Sequence, residues 1–389
     1  MTLGIEKLIR PAIFIAFVLP FLNANGQVSL VENAIEKLKN YKNFSYQFTN
    51  KRKDFTIDTV ISLNKQSFLK APGDTVFGYL FKLETIYTTE KFTRREVYDG
   101  KSLININPED STYEIQKTRS SAFPGTLPGN LNWIENFVRK KPSDLVTAGD
   151  TIIDGMSNTH LIINTYDTII DKEHYFTVKH LFIDKGSGVP TAIITRSKNR
   201  NFGDGISEYY DEIRYSDYKF DQANIHTASF TIPNGFHLAK EKPAPPALLT
   251  PGTVAPDWTL YTADGKKMSL TQLKGKVLLL DFYFIGCIPC MNAIKPLNKL
   301  YEKYQDKNFL IASVTERDSE RSVLAFKKQY GIKYPGYVGA AEVVRSYHVI
   351  NFPTFYFIDK KGNIANAFVG YGDGFEEKMA SVIEKLLNE

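Results

Sequence analysis

Cys287 and Cys290 are the only cysteines in the 389-residue chain, and only Ile288 and Pro289 separate them. A pair at this spacing fits three chemistries: half of a metal site, a structural cross-link, or reversible dithiol–disulfide exchange. A structural zinc site takes about four Cys or His ligands. His160, His174, His180, His226, His237 and His348 show no ligand spacing. A purely structural disulfide here would close a very short loop, and short loops gain little stability from a cross-link. Exchange chemistry is the better reading, with no metal.

The elements around the pair decide how it would work. Lys276–Phe284 is a nearly continuous apolar run, which suits a central strand covered on both faces. A helix pattern follows from about Ile288 to Asp306. Cys287 therefore sits where a helix begins, facing unpaired backbone N–H groups and the positive end of the helix dipole. Both favour the thiolate, the reactive form of the side chain. Each pKa unit gained is about 1.4 kcal/mol toward the anion. Cys290, nearly one turn on, is expected to be more buried and placed to attack a mixed disulfide at Cys287. Pro289 lacks an N–H and fits the first helical turn.

Further elements complete an alternating pattern. Phe309–Val314 reads as a second buried strand and Asp318–Tyr330 as a helix. Thr354–Ile358 and Ala365–Val369 read as strands joined by Asp359-Lys360-Lys361-Gly362-Asn363, and a closing helix spans about Gly374 to Leu387. This is α/β order.

The first half has a different texture. Val31, Ala34, Ile35, Leu38 and Tyr41 predict an amphipathic helix over 29–41. Short β-rich segments follow among Gly, Asn, Asp and Pro clusters: Phe55–Leu63, Val76–Leu83, Glu96–Tyr98, Thr159–Thr165, His180–Asp184, Thr191–Arg196 and Glu208–Phe220. They predict an antiparallel sheet of hairpins. A helix is expected near Leu131–Lys140, with Trp133, Ile134, Phe137 and Val138 on one face. Lys240-Glu241-Lys242-Pro243-Ala244-Pro245-Pro246 marks a linker. The division expected is 27–238, a linker over 239–251, and 252–389.

Lys7 and Arg10 precede an apolar stretch from Pro11 to Leu22 and then Asn23-Ala24-Asn25-Gly26-Gln27, the pattern of a secretory signal peptide over 1–26. The stretch is short of the roughly 20 residues a membrane span needs. The reading is export to the periplasm, with an uncleaved, membrane-associated helix as the alternative. A net charge of +5 from well-mixed residues gives little support to nucleic acid as a partner.

Two resemblances add to this reading. Gly252-Thr253-Val254-Ala255-Pro256-Asp257-Trp258, Leu273-Lys274-Gly275-Lys276, the Cys pair and Phe352-Pro353-Thr354 resemble the thioredoxin superfamily, in its branch of exported thiol–disulfide oxidoreductases. The resemblance implies a cis Pro353 beside the Cys pair that exposes backbone to a substrate peptide. It implies substrate contacts from Ile288, Pro289, Phe352 and Thr354, and no cofactor. Asp281, six residues before Cys287, matches the buried acid that relays the resolving thiol's proton. Protein thiol or disulfide substrates and a membrane-embedded electron donor are implied as partners, with the chain as reductant. The pattern departs at Gly286, where relatives carry Trp, at Ala293, where some relatives carry an acid, and at Pro296, one residue later than usual. Residues 315–345 fit the insertion of the exported branch.

In the first half, Tyr98-Asp99-Gly100-Lys101-Ser102-Leu103, Asn107-Pro108-Glu109 and Leu181-Phe182-Ile183-Asp184 running to Gly188-Val189-Pro190 resemble the lipoprotein-carrier superfamily. That implies an open, curved sheet over helices, with a lipid, lipoprotein or peptide as ligand, and a binding function as the alternative to a redox one. A peroxidase is disfavoured: Phe284 and Leu280 stand where peroxiredoxins place a hydroxyl-bearing Thr and a Pro.

Overall fold

The computed structural model describes residues 24–53, 59–87, 93–116, 123–200, 206–240 and 246–389. The expected signal peptide falls mostly on residues 1–23, outside the described residues. Among the described residues no helix is long and apolar enough to cross a membrane.

The first half is mainly antiparallel β. Helix α1 (Ala24–Lys39) precedes β1 (Asn43–Lys53), β2 (Val60–Lys70), β3 (Tyr79–Tyr87), β4 (Thr93–Tyr98), β5 (Leu103–Asn107) and β6 (Thr112–Ile115). Helix α2 (Leu127–Lys140) leads to β7 (Leu145–Ile153), β8 (Met156–Ile170), β9 (Glu173–Asp184), β10 (Pro190–Arg200), β11 (Ile206–Phe220) and β12 (His237–Leu238). They form one sheet ordered β12-β6-β5-β4-β3-β2-β1-β11-β10-β9-β8-β7. Among the described residues of this sheet only β12–β6 is parallel.

Both helices pack on one face of this sheet. α1 buries Val31, Ala34, Ile35 and Leu38; α2 buries Leu127, Leu131, Ile134 and Val138. Beneath them lies an aromatic stack set by register: Phe44 pairs with Phe68 and Phe68 with Phe81, with rings 4.9 Å and 6.0 Å apart. Thr126 caps α2 by accepting the Gly129 N–H at 3.1 Å.

Several expected bounds move. α1 starts earlier and passes through Gly26 and Gln27, where the leader was expected to end. It stops before Tyr41, which instead stacks on Phe220 at 4.0 Å. The strand expected at Phe55–Leu63 is β2, shifted toward the C-terminus, with 54–58 outside the described residues. Trp133 is not a core residue: it is 47% exposed and stacks on Phe137. Its position one residue before Ile134 rotates it off the face that meets the sheet.

The second half is α/β. It comprises β13 (Thr259–Thr262), β14 (Lys267–Ser269), β15 (Val277–Phe282), α3 (Ile288–Tyr304), β16 (Phe309–Val314), α4 (Glu320–Tyr330), β17 (Gly336–Val338), α5 (Ala341–Ser346), β18 (Thr354–Ile358), β19 (Ile364–Val369) and α6 (Phe375–Asn388). The sheet order is β14-β13-β17-β16-β15-β18-β19, with β15, β16 and β17 parallel. Every residue of β15 is buried. Leu278, Leu280 and Phe282 pack with α5, whereas Val277 and Leu279 pack with α3 and α6. A strand covered on both faces needs this continuous apolar run.

The segment 239–251 is docked at both ends. Ala239 N–H donates to the Tyr113 carbonyl at 2.8 Å. The Leu249 N–H donates to Tyr356 Oη at 3.0 Å, and the Gly252 N–H to the Ile364 carbonyl at 2.8 Å.

Candidate active site

Strand β15 ends at Phe282, and five residues later the chain reaches the start of α3. Cys287 is the N-cap of that helix, with extended backbone, and its sulfur accepts the Cys290 N–H at 3.2 Å. Pro289 occupies the first turn, where no N–H is required. The two sulfurs are bonded at 2.00 Å, with Cα atoms 5.2 Å apart.

The expectation that Cys290 is the more buried of the two needs correction. Cys287 is 5% and Cys290 6% exposed, so in the bonded form the sulfurs share one cover. What reaches solvent is the bridge between them: Ile288 and Pro289 are both exposed.

The Phe352–Pro353 peptide is cis. Its placement follows from strand register. Thr354, the first residue of β18, pairs with Phe282, the last of β15, so Pro353 lies beside the segment leading to Cys287. The Pro353 carbonyl is taken by the Gly370 N–H at 2.8 Å. Phe352 is partly exposed and its ring packs edge-on against Phe284 at 5.4 Å. Thr354 does not meet its expectation as a substrate contact. It is 0% exposed and its hydroxyl donates to the Asn351 carbonyl at 2.7 Å, because the first β18 residue turns its side chain inward.

Asp281 lies on β15, 5% exposed, flanked in register by Ser313 and Phe355. Burial pushes its carboxyl up to about 7. The Tyr283 and Tyr334 phenols, also buried, feel its charge.

Two residues from the loop after β16 were missed from sequence. Asp318 accepts from the Ile285 N–H at 3.0 Å and from the Thr315 hydroxyl at 2.6 Å. Burial raises its pKa against these bonds. Arg317 places its guanidinium 4.9 Å from the Phe284 ring and 5.3 Å from the Phe352 ring. Gly286, where the family pattern departs, follows Phe284 by two residues. Gly286 itself adopts φ 96°, a conformation that strains any residue with a Cβ. Both residues are some 30 positions beyond Cys287, and only their place in the expected insertion could have flagged them.

The first sheet joins two histidines that spacing alone kept apart. His160 Nε2 and His180 Nδ1 are 2.9 Å apart on β8 and β9.

Comparison with known proteins agrees with the geometry of the second half. Residues 251–367 match the AhpC/TSA family. The thiol-disulfide oxidoreductase ResA of a Bacillus cereus strain is 31% identical over 158 residues, which are 40% of this chain and 87% of that protein. The chain belongs to the thiol–disulfide oxidoreductases of the thioredoxin superfamily. The oxidoreductase is also 36% identical over 121 residues to the thioredoxin-like protein YneN of Bacillus subtilis (strain 168), covering 31% of this chain and 71% of that one. A putative protein disulfide isomerase from Bacteroides thetaiotaomicron aligns at 27% identity and a TM-score of 0.35, over 36% of this chain and 92% of that one. Residues before 250 lie outside the family match.

Proposed function

We propose that the chain is an exported thiol–disulfide oxidoreductase that reduces protein disulfides through Cys287 and Cys290. The observation that carries this is the placement of Cys287 as N-cap of α3 beside the cis Pro353. In the reduced enzyme, the Cys287 thiolate attacks one sulfur of a client disulfide and forms a mixed disulfide, releasing the other client sulfur as a thiolate. Cys290, its proton passed to Asp281, then attacks Cys287 and expels the second client thiolate. The client gains two electrons, one proton by way of Asp281 and one from solvent, and the enzyme is left with the Cys287–Cys290 disulfide. A dithiol donor in the membrane restores it by the reverse exchange.

Other features support parts of this reading. Ile288, Pro289 and Phe352 border the sulfurs and offer the client an apolar edge. The apolar stretch Pro11–Leu22 supports export to the periplasm through a leader over 1–26, and the change in texture at 239–251 supports a division into 27–238 and 252–389. A lipid or lipoprotein on the first domain has less behind it. α1 and α2 already cover the aromatic face, and the apolar crevice beside Ile35, Phe77 and Leu131 is only about 240 Å³, below the roughly 300–1,000 Å³ of usual ligand sites.

Insulin reduction tests the function directly. Cys287→Ser should abolish it, and full retained activity would refute the proposal. Equilibration with glutathione buffers decides direction: a potential near −270 mV marks a reductant, one near −120 mV an oxidant, by the ranges such proteins span, roughly.

A further inference from the structure

The α3-facing layer of the second sheet is apolar until one pair of residues. On β15 it carries Val277 and Leu279, then Asp281; on β16 it carries Phe309 and Ile311, then Ser313. Asp281 and Ser313 are register partners on adjacent parallel strands, so both buried side chains leave the sheet on the same face, side by side. The other register neighbour of Asp281, Phe355 of β18, offers no polar side chain.

The Ser313 hydroxyl is weakly committed where it stands. It donates to the Pro335 carbonyl at 3.2 Å, long for an O–H donor. That carbonyl also accepts the backbone N–H of Ser313 at 3.1 Å, so it keeps a partner when the hydroxyl turns away. A serine hydroxyl has one proton and two lone pairs, and it rotates to suit its neighbours. Tyr283, two residues beyond Asp281 on the same face, brings its Oη to Ser313 short of full hydrogen-bond alignment. Tyr334 feels the Asp281 charge, and Tyr283 feels both Asp281 and Asp318. Helix α3 brings the Cys pair into the cluster around Tyr283, and α6 contributes Phe375 and Met379 to the layer. The Lys327 ammonium of α4 is engaged with the Tyr334 carbonyl and with Asp264. Burial alone moves Asp281, so among the described residues no cation steadies its charge.

We infer that Ser313 is a positioning residue for this acid: its hydroxyl donates to the Asp281 carboxylate while the acid is ionised, and rests on the Pro335 carbonyl once Asp281 has taken the Cys290 proton. The inference rests on the relay role proposed above for Asp281. The proton that moves is the one on Cys290. The Ser313 O–H bond is kept throughout and only turns, and Tyr283 then donates to the Oγ lone pair left facing it. The form with bonded sulfurs shows the second arrangement. Burial favours the neutral acid and a hydrogen bond to the carboxylate favours the ionised one. A base that must be ionised before it acts and neutral afterwards needs both, and a hydroxyl that turns supplies the second without a fixed charge.

Infrared titration of the full chain, with the Asp281→Asn spectrum subtracted, reads the protonated carboxyl directly and needs no turnover. Ser313→Ala keeps the backbone N–H that holds the Pro335 carbonyl, so the strand stays anchored without the hydroxyl. Its carboxyl midpoint should rise by about one unit. Insulin reduction should then fall about tenfold near about pH 6 and little near about pH 9, because the ionised share is lost only below the midpoint. Tyr283→Phe should raise the midpoint by less, and by nothing further in the Ser313→Ala background, since its hydroxyl acts through Ser313. An unmoved midpoint in Ser313→Ala overturns the inference, and so do additive shifts from the two variants. A midpoint that rises while the rate profile stays in place upholds the Ser313 contact and removes Asp281 from the exchange instead.

Discussion

Asp318 accepts the backbone N–H of Ile285 at 3.0 Å, so the loop after β16 holds the turn that delivers Cys287 to the start of α3. Asp318→Ala leaves this N–H and the Thr315 hydroxyl without their acceptor, at a cost of about 1–3 kcal/mol. A lower melting temperature and slower insulin reduction are expected together. Asp318→Asn keeps a carbonyl acceptor and should recover most of both. If the two variants lose equally, the charge rather than the hydrogen bond is what matters.

Asp281 ties stability to pH. Its carboxyl titrates near 7 in the fold and near 4 in an unfolded chain. Between those values the folded state holds a proton that the unfolded chain has lost, so stability falls as pH rises from about 4 to about 7. Asp281→Asn should melt like the parent near pH 4 and above it at pH 8, by up to the order of 4 kcal/mol. Reduction of insulin should slow, and its inflection near 7 should disappear. A variant with the parent's rate and pH profile would remove Asp281 from the proton path.

Arg317 bridges the Phe284 and Phe352 rings beside the cis peptide. An exposed cation–π contact is worth about 0.5–1 kcal/mol, so Arg317→Gln should barely change the melting temperature. It should raise KM for a peptide disulfide while sparing kcat, since the sulfurs are untouched. A fall in kcat at constant KM would instead place Arg317 in the exchange step.

The two halves of the chain should answer acid in opposite ways. Burial, with His160 and Arg196 nearby, holds His180 down at about 4, and burial lowers His160 as well. Unfolded histidine titrates near 6.5. The unfolded chain therefore takes up protons that the folded sheet refuses, and the first half loses stability as pH falls from about 6.5 to about 4. The second half gains over that range through Asp281. Calorimetry at pH 5 and pH 7 should show the two transitions moving in opposite directions, and His180→Gln should flatten the first. Parallel shifts of both would contradict this account.

How much of this was legible in the sequence depends on whether the signal was local. The runs at Phe309–Val314 and Thr354–Ile358 are the observed β16 and β18, because strands buried on both faces are continuous in composition. Cys287 caps α3, Cys290 lies in its first turn and Asp281 on β15, all positions set by local pattern. β2 was misplaced because Asn64, Lys65 and Gln66 look like turn residues. Pairing with β1 and β3 on both sides holds them extended, and tertiary pairing outweighs strand propensity. Asp318, Arg317 and the His160–His180 contact depend on which strands neighbour which, and no local pattern encodes that.

The docked ends of the segment 239–251 leave a short leash. Ala239 is held by β6 and the Ala247 carbonyl by the His348 ring at 2.8 Å. The eight steps from Ala239 to Ala247 reach at most about 29 Å even when taut. With 239–251 as the linker proposed above, a client held on the first half meets the sulfurs at millimolar effective concentration, by order of magnitude. Lengthening this segment should dilute such an encounter without altering either half.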